Sequence, residues 1–171
     1  MRKNAILIRL HYRRICYVDK KYFAELIEKH SDTLYRCAVS YCNNKQDAED
    51  IVQEVFVKCM KKNPSFTDDS HEKAWLIRAT INLCKDLQKT YWKRNVSELT
   101  EDIVDDSEDN KNLYYLISQL PLKYRIVIQL HYQEGYKIKE IAEILHKKES
   151  TVGNQLARGK ALLKKMYEEG M

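Results

Sequence analysis

Apolar residues recur at every third or fourth position along most of this chain, which is the spacing of helices that bury one face. The clearest case lies in the last quarter, where a short helix is predicted from the positions Ile138, Ile141, Ala142 and Leu145. After an interruption at residues 146–148, a second helix is predicted to pack through Val152, Leu156, Gly159 and Leu163. Ser150 is the expected N-cap of this second helix, and Glu149 adds favourable negative charge at its start.

The opposite face of the second helix carries polar and small side chains. They are Asn154, Ala157, Arg158, Ala161 and Lys165, with Thr151 and Gln155 on the flank. Arginine pairs with guanine edges, Asn and Gln pair with adenine edges, and alanine leaves room for a thymine methyl, so this face suits the major groove of DNA. Two short amphipathic helices also occur as a plain helical hairpin that binds no DNA. Spacing alone therefore leaves both interpretations open.

Three longer helices are predicted upstream, at residues 20–42, 47–61 and 72–94. The first has a candidate break at Ser31-Asp32, a stop signal at Asn43-Asn44, and an apolar side formed by Phe23, Leu26, Ile27, Leu34, Ala38 and Tyr41. The second buries Ala48, Ile51, Val52, Val55 and Cys59, and the third buries Leu76, Thr80, Leu83 and Leu87. A further helix is predicted with Pro121 at its first position, packing through Leu122, Ile126, Val127 and Leu130.

Composition supports an all-α fold, because only four glycines and two prolines interrupt 171 residues. The charge is unevenly distributed. Residues 1–95 carry 19 Lys and Arg against 12 acids, residues 96–110 carry seven acids and no base, and residues 111–171 carry 11 bases against six acids. Two basic blocks around an acidic segment suit a polyanionic partner, and they predict two small helical domains joined by a flexible acidic linker. Solvated helix faces would account for either basic block taken alone.

Neither metal nor cofactor chemistry has a signature in this sequence. Its cysteines lack paired CxxC spacing and are odd in number, so they are predicted to be reduced core thiols: Cys16, Cys37, Cys42, Cys59 and Cys84. We find no Gly-rich phosphate loop, no order of Ser, His and Asp typical of hydrolases, and no zinc spacing. No apolar run is long enough to span a membrane, so no membrane insertion is expected.

Residues 1–17 are basic with a short apolar patch, but they lack the cleavage site of a secretory signal. A membrane-surface segment is one interpretation. The preferred hypothesis is a translated, non-native leader, because Arg13-Arg14 can be encoded by AGGAGG, a ribosome-binding sequence. Val18, which GTG can encode as a start, follows after three codons. Other arginine codons in the DNA would remove this hypothesis.

The helix at residues 47–61 presents an acidic surface with an apolar residue, Val57, among the carboxylates. The surface consists of Asp50, Gln53, Glu54 and Val57, with Asp47 at its edge. A catalytic or metal-binding cluster is disfavoured because no histidine accompanies the acids. A solvated face is a second interpretation. The apolar centre favours a third, a docking surface for a basic partner.

The helix at residues 72–94 presents a basic stripe that ends in aromatic residues. On one side lie Arg78, Asn82, Lys85, Lys89 and Trp92. Cations follow phosphates and aromatic rings stack on unpaired bases, so the stripe favours contact with nucleic acid. The alternative is that Tyr91 and Trp92 cover a core.

Taken together, these motifs resemble bacterial RNA polymerase sigma factors of the extracytoplasmic-function (ECF) group. DAEDIVQEVF at residues 47–56 is similar to the polymerase-docking helix of that family, and AWLIRATINLCKD at residues 74–86 is similar to its promoter-melting helix. The segment from LPLKYRIVIQL to STVGNQLARGKALLKK resembles its C-terminal DNA-binding domain. The resemblance implies sigma region 2 at residues 18–95, a linker at 96–111 and sigma region 4 with a helix-turn-helix at 112–171.

The resemblance also implies partners and roles. Core RNA polymerase would bind the acidic surface, to which the resemblance adds Glu49, through the coiled coil of its β′ clamp and would hold the C-terminal domain near its β flap. Promoter DNA would contact region 2 at the −10 element through Lys58, Arg78, Asn82, Lys85, Lys89 and Trp92. The −35 element would contact Thr151, Asn154, Gln155, Arg158 and Lys165. An anti-sigma factor is an expected partner, the expected location is the cytoplasm, no cofactor is expected, and the polymerase core rather than this chain does the chemistry.

Three positions depart from the family pattern. Gly153 and Gln155 stand where relatives commonly carry Lys and Arg, and Gly159 stands where Ala is usual. A glycine inside a helix costs ~1 kcal/mol relative to alanine. The alternative functions are a stand-alone helix-turn-helix regulator that binds DNA as a dimer, and an enzyme built on the carboxylates at residues 47–54. Neither alternative uses both the acidic surface and the basic stripe.

Overall fold

The structure is a computed structural model that describes residues 20–42, 44–94 and 108–169. The described residues form seven α-helices and no strand: α1 (Lys20–Cys42), α2 (Lys45–Lys62), α3 (Asp69–Arg94), α4 (Glu108–Gln119), α5 (Leu122–Tyr132), α6 (Ile138–Leu145) and α7 (Glu149–Glu169). The prediction of an all-α fold is confirmed. The proposed leader at residues 1–17 lies outside the described residues, as does Cys16.

Helix α1 runs through the predicted break at Ser31-Asp32, so that prediction is wrong. The hydroxyl of Ser31 donates to the backbone carbonyl of Ile27, one turn earlier, so Ser31 and Asp32 fit within a continuous helix. The buried stripe of α1 passes through Leu26, His30 and Leu34. Ile27, predicted to be buried, lies about 100° away from this stripe and is 37% exposed.

Helix starts differ from the predictions because the capping residues lie further upstream. The side chain of Asn44 accepts a hydrogen bond from the backbone N–H of Asp47 at 3.0 Å, so Asn44 caps α2 rather than ending α1. The side chain of Asp68 accepts from the backbone N–H of His71 at 2.8 Å, and α3 therefore begins before the predicted Glu72. Asn63 ends α2 in a left-handed conformation, as expected of a C-cap.

A buried polar cluster joins α1 to α3 within the N-terminal module, which we define as α1–α3. The carboxylate of Glu72 accepts from the hydroxyl of Tyr22 at 2.5 Å, and its other oxygen lies 2.8 Å from His30 Nε2 and 3.5 Å from Lys29 Nζ. Burial acts to raise the pKa of Glu72, but the hydrogen bonds from Tyr22 and His30 and the charge of Lys29 outweigh it and lower the pKa. The sequence pattern did not predict this cluster.

The C-terminal module, α4–α7, begins with a helix that the hydrophobic pattern missed. Helix α4 takes residues 108–111 away from the expected linker. Pro121 is the N-cap of α5 and not its first residue. The carbonyl of Lys148 accepts from the backbone N–H of Val152 at 3.1 Å, which makes Lys148 the cap of α7. The predicted cap, Ser150, instead lies inside the first turn.

Helices α6 and α7 form the predicted helix-turn-helix. His146 ends α6 in a left-handed conformation with φ of 53°, and α7 starts three residues later. The predicted packed face of α7 is confirmed, with Val152 and Gly159 buried and Leu156 half-buried. Gly159 allows the closest approach, because an added Cβ would lie 2.9 Å from Ile128 Cδ1 and 3.0 Å from Tyr124 Cβ.

One apolar core runs through both modules. Helix α5 lies between α7 and α1, and its residues 126–130 are all buried. A second contact between the modules joins α6 to α3. Helix α7 packs mainly against α5 and α6, which in turn contact the N-terminal module.

The described cysteines are free, and Cys37, Cys59 and Cys84 are buried as predicted. Burial raises the pKa of Cys37 to about 12 and that of Cys59 to about 11, so both thiols stay protonated and unreactive. Among the described helices, none is long and apolar enough to cross a membrane.

Candidate docking and nucleic-acid surfaces

The acidic surface of α2 points away from the core. Ala48, Ile51 and Val55 bury the opposite side of the helix against α1 and α3. The predicted docking residues that lie exposed are Glu49, Asp50, Gln53, Glu54 and Val57, while Asp47 is half-buried beside the Asn44 cap. Val57 is 41% exposed amid the carboxylates. The arrangement combines long-range attraction for a basic partner with an apolar centre that such a partner can cover.

In the part of the chain that the structure describes, no group of three or more His, Cys, Asp or Glu side chains could hold a metal ion.

The basic stripe of α3 is partly confirmed as an open surface. Asn82 and Lys89 are exposed, and Lys85 is half-buried. The ammonium of Lys89 lies 2.9 Å from Asp86, and its hydrogen bond and charge, followed by the charges of Lys58 and Lys85, lower the pKa of Asp86. Lys58 of α2 therefore lies close enough to α3 for its charge to act on Asp86. The side chain of Trp92 lies outside the described residues, although its backbone belongs to α3.

Arg78 departs from the prediction, because it contacts the C-terminal module. Its guanidinium Nη2 donates to the backbone carbonyl of Glu143 at 2.9 Å, near the end of α6. Its Nε is buried without a hydrogen-bond partner. Burial first, and then the charge of Lys85, lower the pKa of Lys147 in the turn between α6 and α7, which indicates that these two cations are close. The stripe is therefore open at Asn82 and Lys89 and covered at Arg78.

The outer face of α7 is exposed as predicted at Thr151, Asn154, Arg158 and Lys165. Gln155 is half-buried, and its carbonyl oxygen accepts from Lys147 Nζ at 3.0 Å. This bond leaves the amide NH₂ group of Gln155 as the donor that can reach outward.

A cleft of about 250 Å³ lies between α5 and α7, and sequence reasoning missed two residues that line it. Lys123 and Tyr124 form its α5 side, with the Lys123 ammonium 4.9 Å from the centre of the Tyr124 ring. The α7 side is formed by Thr151, Asn154, Gln155 and Arg158. Gly159 is the sequence feature that could have predicted the proximity of Lys123 and Tyr124 to α7. A glycine on the packed face of a helix indicates that another helix approaches closely at that position.

Comparison with known proteins identifies two protein families whose sequences match this chain. The family described as Sigma-70 region 2 matches residues 26–95, and the family described as Sigma-70, region 4 matches residues 110–163. The RNA polymerase sigma factor SigV of Bacillus subtilis is 30% identical over 81% of this chain and 86% of its own length. The ECF RNA polymerase sigma factor SigW of the same organism is 28% identical over 96% of this chain and 98% of its own length.

The chain is a sigma factor of the ECF group. As such, it directs promoter-specific initiation of transcription. Sigma factors are generally not enzymes.

Solved structures show the same fold. The sigma factor RpoE of Bartonella quintana, solved with the anti-sigma factor NepR, superposes with a TM-score of 0.75 at 22% identity, covering 86% of this chain and 98% of that one. CnrH, solved with the cytosolic domain of CnrY, gives a TM-score of 0.66 at 21% identity, covering 95% of this chain and 97% of that one. The sigma factor therefore has the helical architecture of these proteins.

Proposed function

We propose that this ECF sigma factor loads onto core RNA polymerase through the acidic surface of α2. The observation that carries this proposal is the exposure of Glu49, Asp50, Glu54 and Val57 on one side of a helix whose other side is buried. The coiled coil of the β′ clamp is the basic partner that the resemblance implies. Since the docking residues need no rearrangement to become accessible, binding is expected to be governed by charge complementarity.

Promoter contacts follow from the two remaining surfaces. Asn82, Lys85, Lys89 and Lys58 would contact the opened −10 element, with Trp92 and Arg78 completing that surface. The exposed face of α7 would enter the −35 major groove, where Asn154 and Arg158 carry base-reading side chains and Lys165 carries charge for a phosphate. Lys123, across the cleft from Arg158, would add a phosphate contact beside the groove.

The same proposal extends to regulation and location. An anti-sigma factor is the expected inhibitor, because the relatives RpoE and CnrH were solved with NepR and with the cytosolic domain of CnrY. The protein would act in the cytoplasm, where the polymerase and the chromosome are, and it would perform recognition and strand capture without catalysis of its own. The alternative, a stand-alone dimeric regulator, is not favoured because it leaves the α2 surface without a role.

The test of docking is charge reversal on α2. Asp50→Lys and Glu54→Lys should each weaken binding to purified bacterial core enzyme by at least tenfold and abolish run-off transcription, while the helical circular-dichroism spectrum stays unchanged. Glu28→Lys makes the same charge change on the exposed surface of α1 and should keep wild-type affinity. Unchanged affinity in both α2 variants would refute the docking surface.

The test of −35 recognition is Arg158→Ala. This variant should lose about 1–3 kcal/mol of binding free energy at one base pair of the −35 element and should relax the preference there. Binding is measured by competition between a promoter duplex and duplexes altered at single positions. An equal loss on the native and a scrambled −35 element would show that Arg158 contacts only phosphate.

A further inference from the structure

Two cysteine side chains meet where the end of α1 lies against α3. Cys42 is the last residue of α1, and Cys84 lies within α3. The two thiols are hydrogen-bonded to each other. Beside them, the side chain of Gln88, one turn after Cys84, donates from Nε2 to the backbone carbonyl of Tyr41 at 3.3 Å. We call Cys42 and Cys84 the thiol pair.

The two members of the thiol pair differ in their access to solvent. Cys42 is half-buried, whereas Cys84 is completely buried. The hydrogen bond with Cys42, and then burial, raise the pKa of Cys84 above its ordinary value, because Cys84 must keep its proton in order to donate it. Cys42 is therefore the thiol that a dissolved reagent can reach, and Cys84 is the protonated thiol held behind it.

A third thiol, Cys37, lies close by on α1 but is not a member of the pair. It acts on Cys84 through charge alone, whereas the hydrogen bond of Cys84 is made with Cys42. Cys37 is also completely buried, and burial raises its pKa to about 12. Cys37 thus lacks both the contact and the access, which makes it a matched control on the same helix.

We propose that Cys42 and Cys84 form a reversible disulfide when a hydroperoxide reaches the half-buried end of α1, and that this bond makes the stability of the N-terminal module depend on its redox state. The cross-link would restrict the unfolded chain between residues 42 and 84, which include all of α2. The inference does not rest on the roles proposed for the α2 and α3 surfaces. It adds a site of covalent modification on the buried side of the helix that carries the basic stripe.

The oxidation takes two steps. In the first, the Cys42 thiolate attacks one oxygen of the hydroperoxide, the O–O bond breaks, and the leaving alkoxide or hydroxide takes up the proton that Cys42 released. In the second, the Cys84 sulfur attacks the sulfur of the Cys42 sulfenic acid, the S–O bond breaks, and the hydroxyl group leaves as water with the Cys84 proton. The two thiols lose two electrons in total, and the hydroperoxide is reduced to water and an alcohol, or to two waters when it is hydrogen peroxide. A dithiol reductant reverses the change by thiol–disulfide exchange.

The contact between the two thiols favours the disulfide over other oxidation products. Because Cys84 already touches Cys42, the second step is intramolecular and captures the sulfenic acid before it is oxidised further. Cys42 is the terminal residue of α1, and helix ends fray, so it can move towards Cys84 without disturbing the buried turns of that helix. Disulfides in reducing compartments are usually transient and redox-sensing, which is the behaviour expected of this pair.

The experiment counts free thiols in the full-length protein. The parent protein carries Cys16→Ser, which leaves four of the five cysteines. The folded parent is treated with hydrogen peroxide, the excess is removed with catalase, and free thiols are labelled with N-ethylmaleimide in denaturant before intact mass spectrometry. The expected result is two labels and the loss of two hydrogen atoms after peroxide, and four labels when dithiothreitol follows the peroxide.

Three variants of the parent identify the bond. Cys37→Ala should still form it and take one label, whereas Cys42→Ser should take three labels because its remaining thiols are all buried. Cys84→Ala should leave oxidised Cys42 without a partner, seen as a gain of oxygen. Since Cys42 is half-buried, the comparison of Cys42→Ser with Cys37→Ala stays decisive even if the core substitution at Cys84 unfolds the protein. Four labels on the peroxide-treated parent would overturn the proposal, as would loss of the bond in Cys37→Ala but not in Cys42→Ser.

Thermal unfolding tests the effect on stability. The oxidised parent should melt at least ~5 °C above the reduced parent, because the cross-link closes a loop of about 40 residues. Cys42→Ser should melt at the same temperature with and without peroxide. A disulfide-bonded parent that melts no higher than the reduced form would overturn the stability role. Run-off transcription by reduced protein with core enzyme tests the proposed sigma function separately, so the two failures can be told apart.

Discussion

Among the described residues, the side chains of two glutamates are almost wholly buried, Glu72 at 8% exposure and Glu134 at 2%, and their partners come from different places. Glu72 binds Tyr22, Lys29 and His30, all on α1 of its own module. Glu134 binds Thr33, Arg36 and Lys73, all of the other module. The first carboxylate therefore joins two helices of one module, whereas the second joins the two modules.

Burial alone therefore does not show whether a polar group stabilises one module or the contact between two modules. Of the partners of Glu72, Tyr22 and Lys29 are 42% and 44% exposed, but His30 is only 3% exposed and cannot reach water without unfolding of the module. The partners of Glu134 include Arg36 and Lys73, whose side chains are 42% and 29% exposed, so their charges stay partly hydrated. Which side of a domain boundary the partners occupy decides whether a buried charge stabilises a fold or an assembly.

The largest effect that tests this comparison is expected from Glu72→Ala. Removal of the carboxylate leaves His30 buried without its acceptor and should lower the free energy of unfolding by about 3 kcal/mol. Urea denaturation followed by circular dichroism measures the loss. Glu134→Ala is the matched variant in the C-terminal module and should cost less, because its partners Arg36 and Lys73 stay partly hydrated whereas His30 is buried. Equal losses for the two variants would mean that both carboxylates belong to one folding unit.

The next effect perturbs the contact between α5 and α7 in the C-terminal module. Gly159→Ala places a Cβ 3.0 Å from Tyr124 Cβ, which is held by the backbone of α5 and cannot move aside. The strain should outweigh the better helix propensity and destabilise the protein by about 1–3 kcal/mol. Thermal unfolding measures it. A stabilised variant would show that the contact between α5 and α7 has room for a methyl group at residue 159.

A smaller effect is expected from acid. The pKa of Glu72 is lowered below its ordinary value of 4.5, so the folded state binds the proton less readily than the unfolded state does. The stability contributed by Glu72 is therefore fully present above pH 4.5 and is lost as the pH falls through the lowered pKa. Urea unfolding at several pH values should show this slope in the wild type. The slope should be shallower in Glu72→Gln, and equal slopes would contradict the assignment.

The smallest effect is a gain. Gly153 has only one neighbour near the position of an added Cβ, Ile138 Cδ1 at the ordinary contact distance of 3.9 Å. Gly153→Ala should therefore stabilise α7 by up to ~1 kcal/mol through helix propensity. The melting temperature should rise, whereas Gly159→Ala should lower it, although both changes add the same methyl group to the same helix.

Local pattern predicted what depends on local spacing. The packed face of α7 and the exposed face of α2 followed from the helical period, because each is set by residues three or four apart. Helix starts were less predictable, since Asn44 and Asp68 can act as caps or as breaks and only their hydrogen bonds decide.

The pattern could not predict the features that join distant parts of the chain. Glu134 and Arg36 are 98 positions apart, and no local sequence pattern around either residue predicts their contact. Glu72 was predicted only as the first residue of a helix, and the packing of α1 against α3 is what buries it. Helix α4 was missed because it begins within an acidic segment that lacks an apolar period.

Gly159 has a consequence for how the −35 surface is built. Because α5 and α7 approach each other closely at this residue, Lys123 and Arg158 lie on opposite sides of one cleft. A bulkier residue would push the two helices apart and move the cation on one relative to the guanidinium on the other. Gly159 thus sets the spacing between the proposed phosphate contact and the proposed base contact.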